Sequence, residues 1–175
     1  MTEPCSYRLA TFSASTKEIF LQQISDKPNK HHLNEIDQRL IIEWLTNPHK
    51  QPSSQKEYSR RNYVRKTFDW DEKTQNLFAI AKTNGGRNRL VITEEKMANV
   101  IEYVHESNSH AGWDTTWKDI SDSYYGILRS DVILLLKTCQ ICAMNPCKRP
   151  KSSKGPGMSF DGHQPPTRLD NGNVT

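Results

Sequence analysis

Two histidines and two cysteines form the pattern with the clearest chemical meaning in the sequence. His105-x4-His110 is followed, after 28 residues, by Cys139-x2-Cys142. Imidazole nitrogens and thiolates are ligands that zinc prefers, and four of them complete its tetrahedral shell. Two neutral imidazoles and two thiolates balance the charge of Zn²⁺ and leave no position open for water. We therefore predict one structural zinc ion rather than a hydrolytic one.

The spacing within each pair restricts the local backbone. The two cysteines fit one helical turn or a knuckle, because residues three apart lie on the same side. On a continuous helix, His105 and His110 would be rotated by about 140° and could not share an ion. The first helix must therefore end near His105. Residues 107–109 disfavour a helix interior and Gly112 offers a terminating position, so we expect His110 to fold back from a loop.

Apolar periodicity predicts three short helices around these ligands. The first has Thr93 as its N-cap and runs to about His105, the second spans residues 114–123, and the third starts with Ser130 and Asp131 as caps. If the third helix returns antiparallel to the first, the cysteine pair meets both imidazoles.

The segment before these helices also contains patterns that predict secondary structure, although they are weaker. Helical spacing predicts helices at residues 15–24 and 34–45. Two apolar runs flank the turn at residues 84–86, Asn-Gly-Gly, which is typical of a β-hairpin. In the second run, Leu90 and Ile92 are expected on one face of the hairpin and Val91 on the other.

The predicted fold class is mainly α. A small three-helix His-His-Cys-Cys zinc-binding domain is preceded by the hairpin and by N-terminal helices, and both termini are predicted to be disordered. The predicted segments are a disordered N-terminus, a helical basic region, the zinc-binding domain and a disordered basic, proline-rich tail, at residues 1–16, 17–67, 68–145 and 146–175.

Composition indicates a small core and is compatible with a polyanion partner. Hydrophobic residues make up 34% of the 175 residues and the mean hydropathy is -0.80, against roughly 45% apolar residues in compact domains. The net charge of +4 and the pI of about 8.9 suit a nucleic acid without requiring one. The sequence has neither a membrane-length apolar run nor a signal-peptide pattern, so we expect a soluble intracellular protein without a membrane partner.

Two basic clusters are candidates for nucleic-acid contacts. One lies within residues 50–66, where Glu57 is the single acid, and the other lies in the C-terminal tail. We predict phosphate contacts from Arg60, Arg61, Arg65, Lys148, Arg149 and Lys151. The alternatives are a solvated helix face for the first cluster, and a solubilising tail or a nuclear localisation signal for the second.

Other residues with possible chemistry receive weaker assignments. Cys147 could replace a zinc ligand, although Pro146 and the basic residues after it indicate a position outside the domain. His31, His32 and His49 are interpreted as solvated. A redox role for the Cys-x-x-Cys pair is disfavoured because thioredoxin-like motifs open a helix after a strand.

Several positions around the ligands match a known pattern in register. They lie within residues 76–147, under half of the chain, and comprise Arg89-Leu-Val-Ile, Val104-His105, His110-Ala-Gly112, Thr116, Tyr124-Tyr125, Asp131-Val132 and Cys139-Gln-Ile-Cys142. This segment resembles the integrase zinc-binding domain of gypsy-type retrotransposons and of cellular proteins derived from their integrases. The family usually has Trp after the Tyr-Tyr pair, where this chain has Gly126.

The resemblance implies a nuclear, DNA-binding protein derived from, or belonging to, a retroelement integrase. An integrase also needs a catalytic domain with three separated carboxylates, and only 33 residues follow Cys142. We therefore expect no enzymatic activity and no small-molecule substrate. A zinc-stapled three-helix domain can present a helix-turn-helix surface to DNA. The alternative is a protein-interaction or oligomerisation module stabilised by zinc, because the matching domain often serves assembly.

Overall fold

The computed structural model describes residues 10–145, which form seven helices and four strands. In chain order these are α1 (Ala14–Asp26), α2 (Glu35–Thr46), α3 (Gln55–Thr67), β1 (Phe68–Asp71), β2 (Asn76–Ala79), β3 (Arg89–Val91), α4 (Glu94–Ser107), α5 (Trp113–Ser123), β4 (Tyr124–Tyr125), α6 (Arg129–Leu136) and α7 (Gln140–Met144). The architecture is mainly α with a small sheet, as predicted. The disorder predicted for residues 1–9 and 146–175 lies outside the described residues.

Side-chain caps fix the start of the three N-terminal helices. Ser13, Asn34 and Ser54 have extended backbones, and each side chain accepts a hydrogen bond from the N–H three residues later. Helices α1 and α2 confirm the two predicted N-terminal helices, and α3 carries the first basic cluster. The prediction of disorder was wrong for residues 11–16, because Phe12 is buried and Ser13 starts α1.

The predicted hairpin is part of a four-stranded sheet with the order β1-β2-β3-β4. Strands β2 and β3 pair in antiparallel register, with Phe78 opposite Leu90, and β1 adds on the outer side of β2. Strand β4 lies parallel to β3, with Leu90 opposite Tyr124. A parallel neighbour requires a crossover connection, which α4 and α5 provide. The sheet therefore ties the zinc-ligand region to the segment before it.

The sheet lies between two hydrophobic cores. The first core joins α1 to the helices after the sheet and contains Phe12, Phe20, Ile24, Met97, Ile101, Ile120, Val132 and Leu135. The second joins α2 and α3 to the sheet and contains Ile41, Trp44, Val64, Phe68, Leu77 and Val91. Leu90 and Ile92 pack on the first core and Val91 on the second, which confirms the predicted alternation. Helix α1 thus packs with α4, although the domain boundaries themselves stay a prediction.

Two predicted caps act differently from expectation. The backbone of Thr93 is extended before α4, but its hydroxyl makes no capping bond. Helix α6 has its N-cap at Leu128 rather than at Ser130 or Asp131, and the Asp131 carboxylate reaches back to accept from the Leu128 N–H at 2.7 Å. A carboxylate in the first turn can satisfy the N-cap N–H in this way. Among residues 10–145, no helix is long and apolar enough to cross a membrane.

Candidate metal centre

The four predicted zinc ligands converge between α4 and α7. His105 lies in the last turn of α4, His110 in the loop that follows, Cys139 at the N-cap of α7 and Cys142 within α7. Their ligand atoms, one from each side chain, all lie within 4.8 Å of one another. His105 and Cys139 are each only 1% exposed. The donors therefore form one compact and largely buried cluster.

The spacing of the donor atoms fits a single tetrahedral zinc ion. Cys142 Sγ lies 3.3 Å from His105 Nε2, and Cys139 Sγ lies 3.6 Å from His110 Nδ1. With Zn–S near 2.3 Å and Zn–N near 2.0 Å, tetrahedral geometry separates sulfur and nitrogen ligands by roughly 3.6 Å. The Cys142 N–H also donates to Cys139 Sγ at 3.4 Å. The donor set and its spacing thus suit zinc.

The backbone after α4 is strained in order to place His110. Ser109 and His110 have φ values of 52° and 58°, in the left-handed region, which costs roughly 1–2 kcal/mol for each non-glycine residue. The His110 N–H donates to the His105 carbonyl at 2.9 Å and closes the turn. The prediction that the helix ends so that His110 folds back is confirmed. Gly112 was wrongly assigned as the terminator, because it is the N-cap of α5.

Two side chains outside the ligand set hold the His105 ring. The Thr116 hydroxyl lies 3.5 Å from Nδ1, the ring nitrogen opposite the ligand atom Nε2, and also donates to the Gly112 carbonyl at 3.2 Å. Phe12 stacks on the ring with 6.4 Å between centroids. Such partners fix the orientation of a metal-binding imidazole. Sequence reasoning did not assign this role to either residue.

The segment before α1 contacts both elements that carry ligands. The Thr11 hydroxyl donates to Glu106 Oε1 at 2.5 Å, and the Gln140 N–H donates to the Thr11 carbonyl at 3.4 Å. Thr11 thereby bridges the end of α4 and the start of α7, the two elements that carry ligands. Nothing in the spacing of the ligands points to a contact from a residue so far away in the chain.

Helices α4 to α7 carry the sequence features of a known domain. Residues 92–146 match the family model described as the integrase zinc binding domain. In this segment the chain is similar to an integrase zinc binding domain. The match begins where the sheet leads into α4 and includes all four ligands, and zinc is the cofactor of this domain. No curated protein and no solved structure gives a significant match to the chain.

The basic helix α3 precedes the zinc binding domain, and one of its arginines faces inward. Arg61 is 3% exposed, and its guanidinium donates to Glu57 and to the Lys50 carbonyl. Hydrogen bonds from Ser53, followed by the one from Arg61, lower the pKa of Glu57 to about 2. This pairing corrects the predicted role of Arg61, because a buried and paired guanidinium is not presented to a phosphate.

The other residues predicted to contact phosphates differ from Arg61 in their positions. Arg60 and Arg65 lie on the exposed side of α3, where Arg65 donates to the Pro48 carbonyl at 3.1 Å. The tail residues Lys148, Arg149 and Lys151, together with Cys147, lie outside the described residues. The structure therefore brings the zinc ligands together, whereas it describes only three of the six predicted contact residues, of which Arg60 and Arg65 are exposed.

One histidine was wrongly interpreted as solvated. His32 is 8% exposed, and its Nε2 atom donates to Asp131 Oδ2 of α6 at 2.9 Å. The neighbouring Leu33 carbonyl accepts from the Glu94 N–H at the start of α4. The connection between α1 and α2 is therefore anchored to the zinc binding domain at two points. His31 and His49 are exposed, as predicted.

Proposed function

We propose that this protein is a non-enzymatic, DNA-binding zinc protein of the nucleus that derives from, or belongs to, a retroelement integrase. The integrase zinc binding domain supports the origin. Two imidazoles and two thiolates fill the coordination shell of zinc, so no position is left for a substrate or an activated water. This closed donor set supports a structural metal and a protein that binds rather than catalyses.

The observation that carries DNA binding is the set of exposed cations on α3. Lys56, Arg60, Arg65 and Lys66 are all exposed. Arg60 pairs with Asp37 at 3.3 Å, and 55% of its side chain is exposed. An exposed pair of this kind contributes only about 0–1 kcal/mol, so a phosphate can replace the carboxylate at little cost. The sheet fixes this helix relative to the zinc binding domain.

The salt dependence of binding to duplex DNA tests the proposal. Without Arg61, five predicted phosphate contacts remain, and five contacts give a slope of about -4.5 in log affinity against log salt. Replacing Arg60 or Arg65 by Gln should in each case make the slope of log affinity against log salt concentration less negative by about one unit. Arg87→Gln, on the exposed loop between β2 and β3, is the matched control. Absence of binding at physiological salt would contradict DNA binding and leave the zinc domain intact.

A protein-interaction or oligomerisation module is the second candidate. It is favoured by large apolar side chains at the surface, since Ile19, Ile36 and Tyr103 are 59%, 70% and 66% exposed. Burial of these side chains against another protein would remove their apolar surface from water, which is favourable. Light scattering over a range of protein concentrations distinguishes the candidates. A monomeric mass throughout would contradict self-association, whereas a dimer that Tyr103→Lys disrupts would support it.

A further inference from the structure

A cavity of about 290 Å³ opens beside the sheet. Its walls come from α3, β3, α5 and β4, and from the segments that follow β2 and β4. This volume is close to the lower limit of roughly 300 Å³ for small-molecule sites, enough for one compact group. Neither the zinc centre nor the predicted phosphate contacts use any residue of its lining.

The charge of the cavity favours an anion. Lys82 and Arg89 line it together with His31, and the lining contains no carboxylate. In the described part of the chain, neither Lys82 nor Arg89 forms a salt bridge. The Arg89 guanidinium lies over the Tyr125 ring at 5.4 Å and donates to the Ser121 carbonyl at 3.4 Å. Arg89 is thus held in place while its positive charge stays without a carboxylate partner.

The same walls are rich in aromatic rings. Tyr63 projects from α3 with 58% of its surface exposed, and Trp117 and Tyr124 are half-buried. Burial, reinforced by the neighbouring Tyr63, raises the pKa of Tyr125, so its phenol stays neutral and adds no negative charge to the site. Aromatic faces accept any base by stacking, whereas cations hold the backbone phosphate. An aromatic group that carries a phosphate satisfies both features.

We propose that this cavity binds one unpaired nucleotide of a DNA strand, with the base against Tyr63 and the phosphate between Lys82 and Arg89. The inference rests on the proposed function, because it assumes that the protein binds DNA. A paired base cannot enter, since a cavity of this size admits one nucleotide and not a duplex. An unpaired end needs no unstacking energy, so overhangs are favoured over blunt ends.

The experiment compares a blunt duplex of about 20 base pairs with the same duplex carrying unpaired thymidines at its ends. The unmodified protein should bind the overhang about tenfold more tightly, the effect of one stacked base. Tyr63→Ala should abolish this preference and Lys82→Gln should reduce it. Both side chains are exposed, so both variants should stay folded, as checked by circular dichroism.

Two matched variants control for nonspecific effects. Tyr58→Ala removes another exposed tyrosine of α3, half of whose surface is solvent-accessible, and Lys73→Gln removes an exposed lysine from the β1–β2 turn. Neither residue lines the cavity, so both variants should keep the preference for the overhang. Competition by thymidine monophosphate should remove the preference but leave blunt-duplex binding unchanged. Equal competition by inorganic phosphate would show a phosphate site without base recognition and would overturn the inference.

The outcomes separate this inference from the proposed function. If the protein binds blunt and overhanging duplexes equally, or if Tyr58→Ala is as damaging as Tyr63→Ala, the cavity is not a nucleotide site and DNA binding still stands. If the protein binds neither duplex, the proposed function itself fails, and the nucleotide site fails with it.

Discussion

The hydroxyl of Thr116 contacts the ring nitrogen of His105 that faces away from the ligand cluster. Loss of such a partner typically weakens metal affinity by about 10–100-fold, because the imidazole is no longer held in its binding orientation. We therefore expect Thr116→Val, which preserves shape, to lower zinc affinity by at least about tenfold in competition with a zinc-sensitive dye. Thr115→Val changes an exposed neighbour and should have no effect. Equal affinity of the two variants would contradict an orienting role for Thr116.

The two cysteine ligands should contribute more to zinc affinity than Thr116 does. A four-ligand zinc site binds with about 10–16 kcal/mol at neutral pH, so removing one ligand should cost about 3 kcal/mol or more. Cys139→Ser or Cys142→Ser should lose zinc and unfold residues 93–142, as measured by metal analysis and circular dichroism. Cys147→Ser should retain one zinc per chain. Equal zinc loss from Cys147→Ser would mean that Cys147 is a ligand in place of Cys139 or Cys142.

Gly126 lies in the connection between strand β4 and helix α6, and it adopts a backbone conformation that other residues rarely adopt. Its φ is 105°, and an added Cβ would lie 2.6 Å from the Ile92 carbonyl oxygen. This contact leaves no room for a side chain at position 126 in the observed conformation. Gly126→Ala should destabilise the fold by clearly more than Gly85→Ala, which has φ 87° but open space around it and should cost only about 1 kcal/mol. Equal shifts in urea midpoint would contradict the steric argument.

Whether an element could be predicted depended on where its determinants lie. Helix α2 was predictable because its cap, Asn34, and its apolar periodicity are local. The zinc ligands were predictable because metal chemistry restricts both residue type and spacing. Strand β4 has two residues, too few for any periodicity, and exists through pairing with β3. The burial of Phe12 and His32 depends on partners about 90 to 100 residues away, which no local pattern contains.

At the scale of the whole molecule, His32 links the connection between α1 and α2 to α6. Its bond to Asp131 is buried on both sides, with side-chain exposures of 3% and 6%. Removing one partner leaves a buried carboxylate with one bond fewer, at a cost of about 1–3 kcal/mol. His32→Ala should therefore lower the free energy of unfolding by that amount, measured by urea denaturation. His31→Ala, its exposed neighbour, should leave stability unchanged, and a similar loss in both variants would contradict a specific link.

The arrangement of the two cores also determines what should happen when zinc is removed. The first core contains α1 together with the ligand-bearing helices. Phe12 stacks on the His105 ring and Thr11 bonds to the neighbouring Glu106, whereas none of the four ligands belongs to the second core. We expect a core of this size to depend on its metal for much of its stability. After chelation, hydrogen exchange should accelerate in α1 and in α4 to α7 together, while α2, α3, β1 and β2 keep more of their protection.

Zinc should restore protection in the first core when it is added back. In the Cys142→Ser variant, exchange in these helices should be fast from the start and insensitive to the chelator. If α1 kept its protection while α4 lost it, α1 would be stable without the zinc binding domain, and the packing of Phe12 and Thr11 against the centre would not couple the two. If the second core opened to the same extent as the first, the sheet would transmit the loss of zinc through the whole molecule.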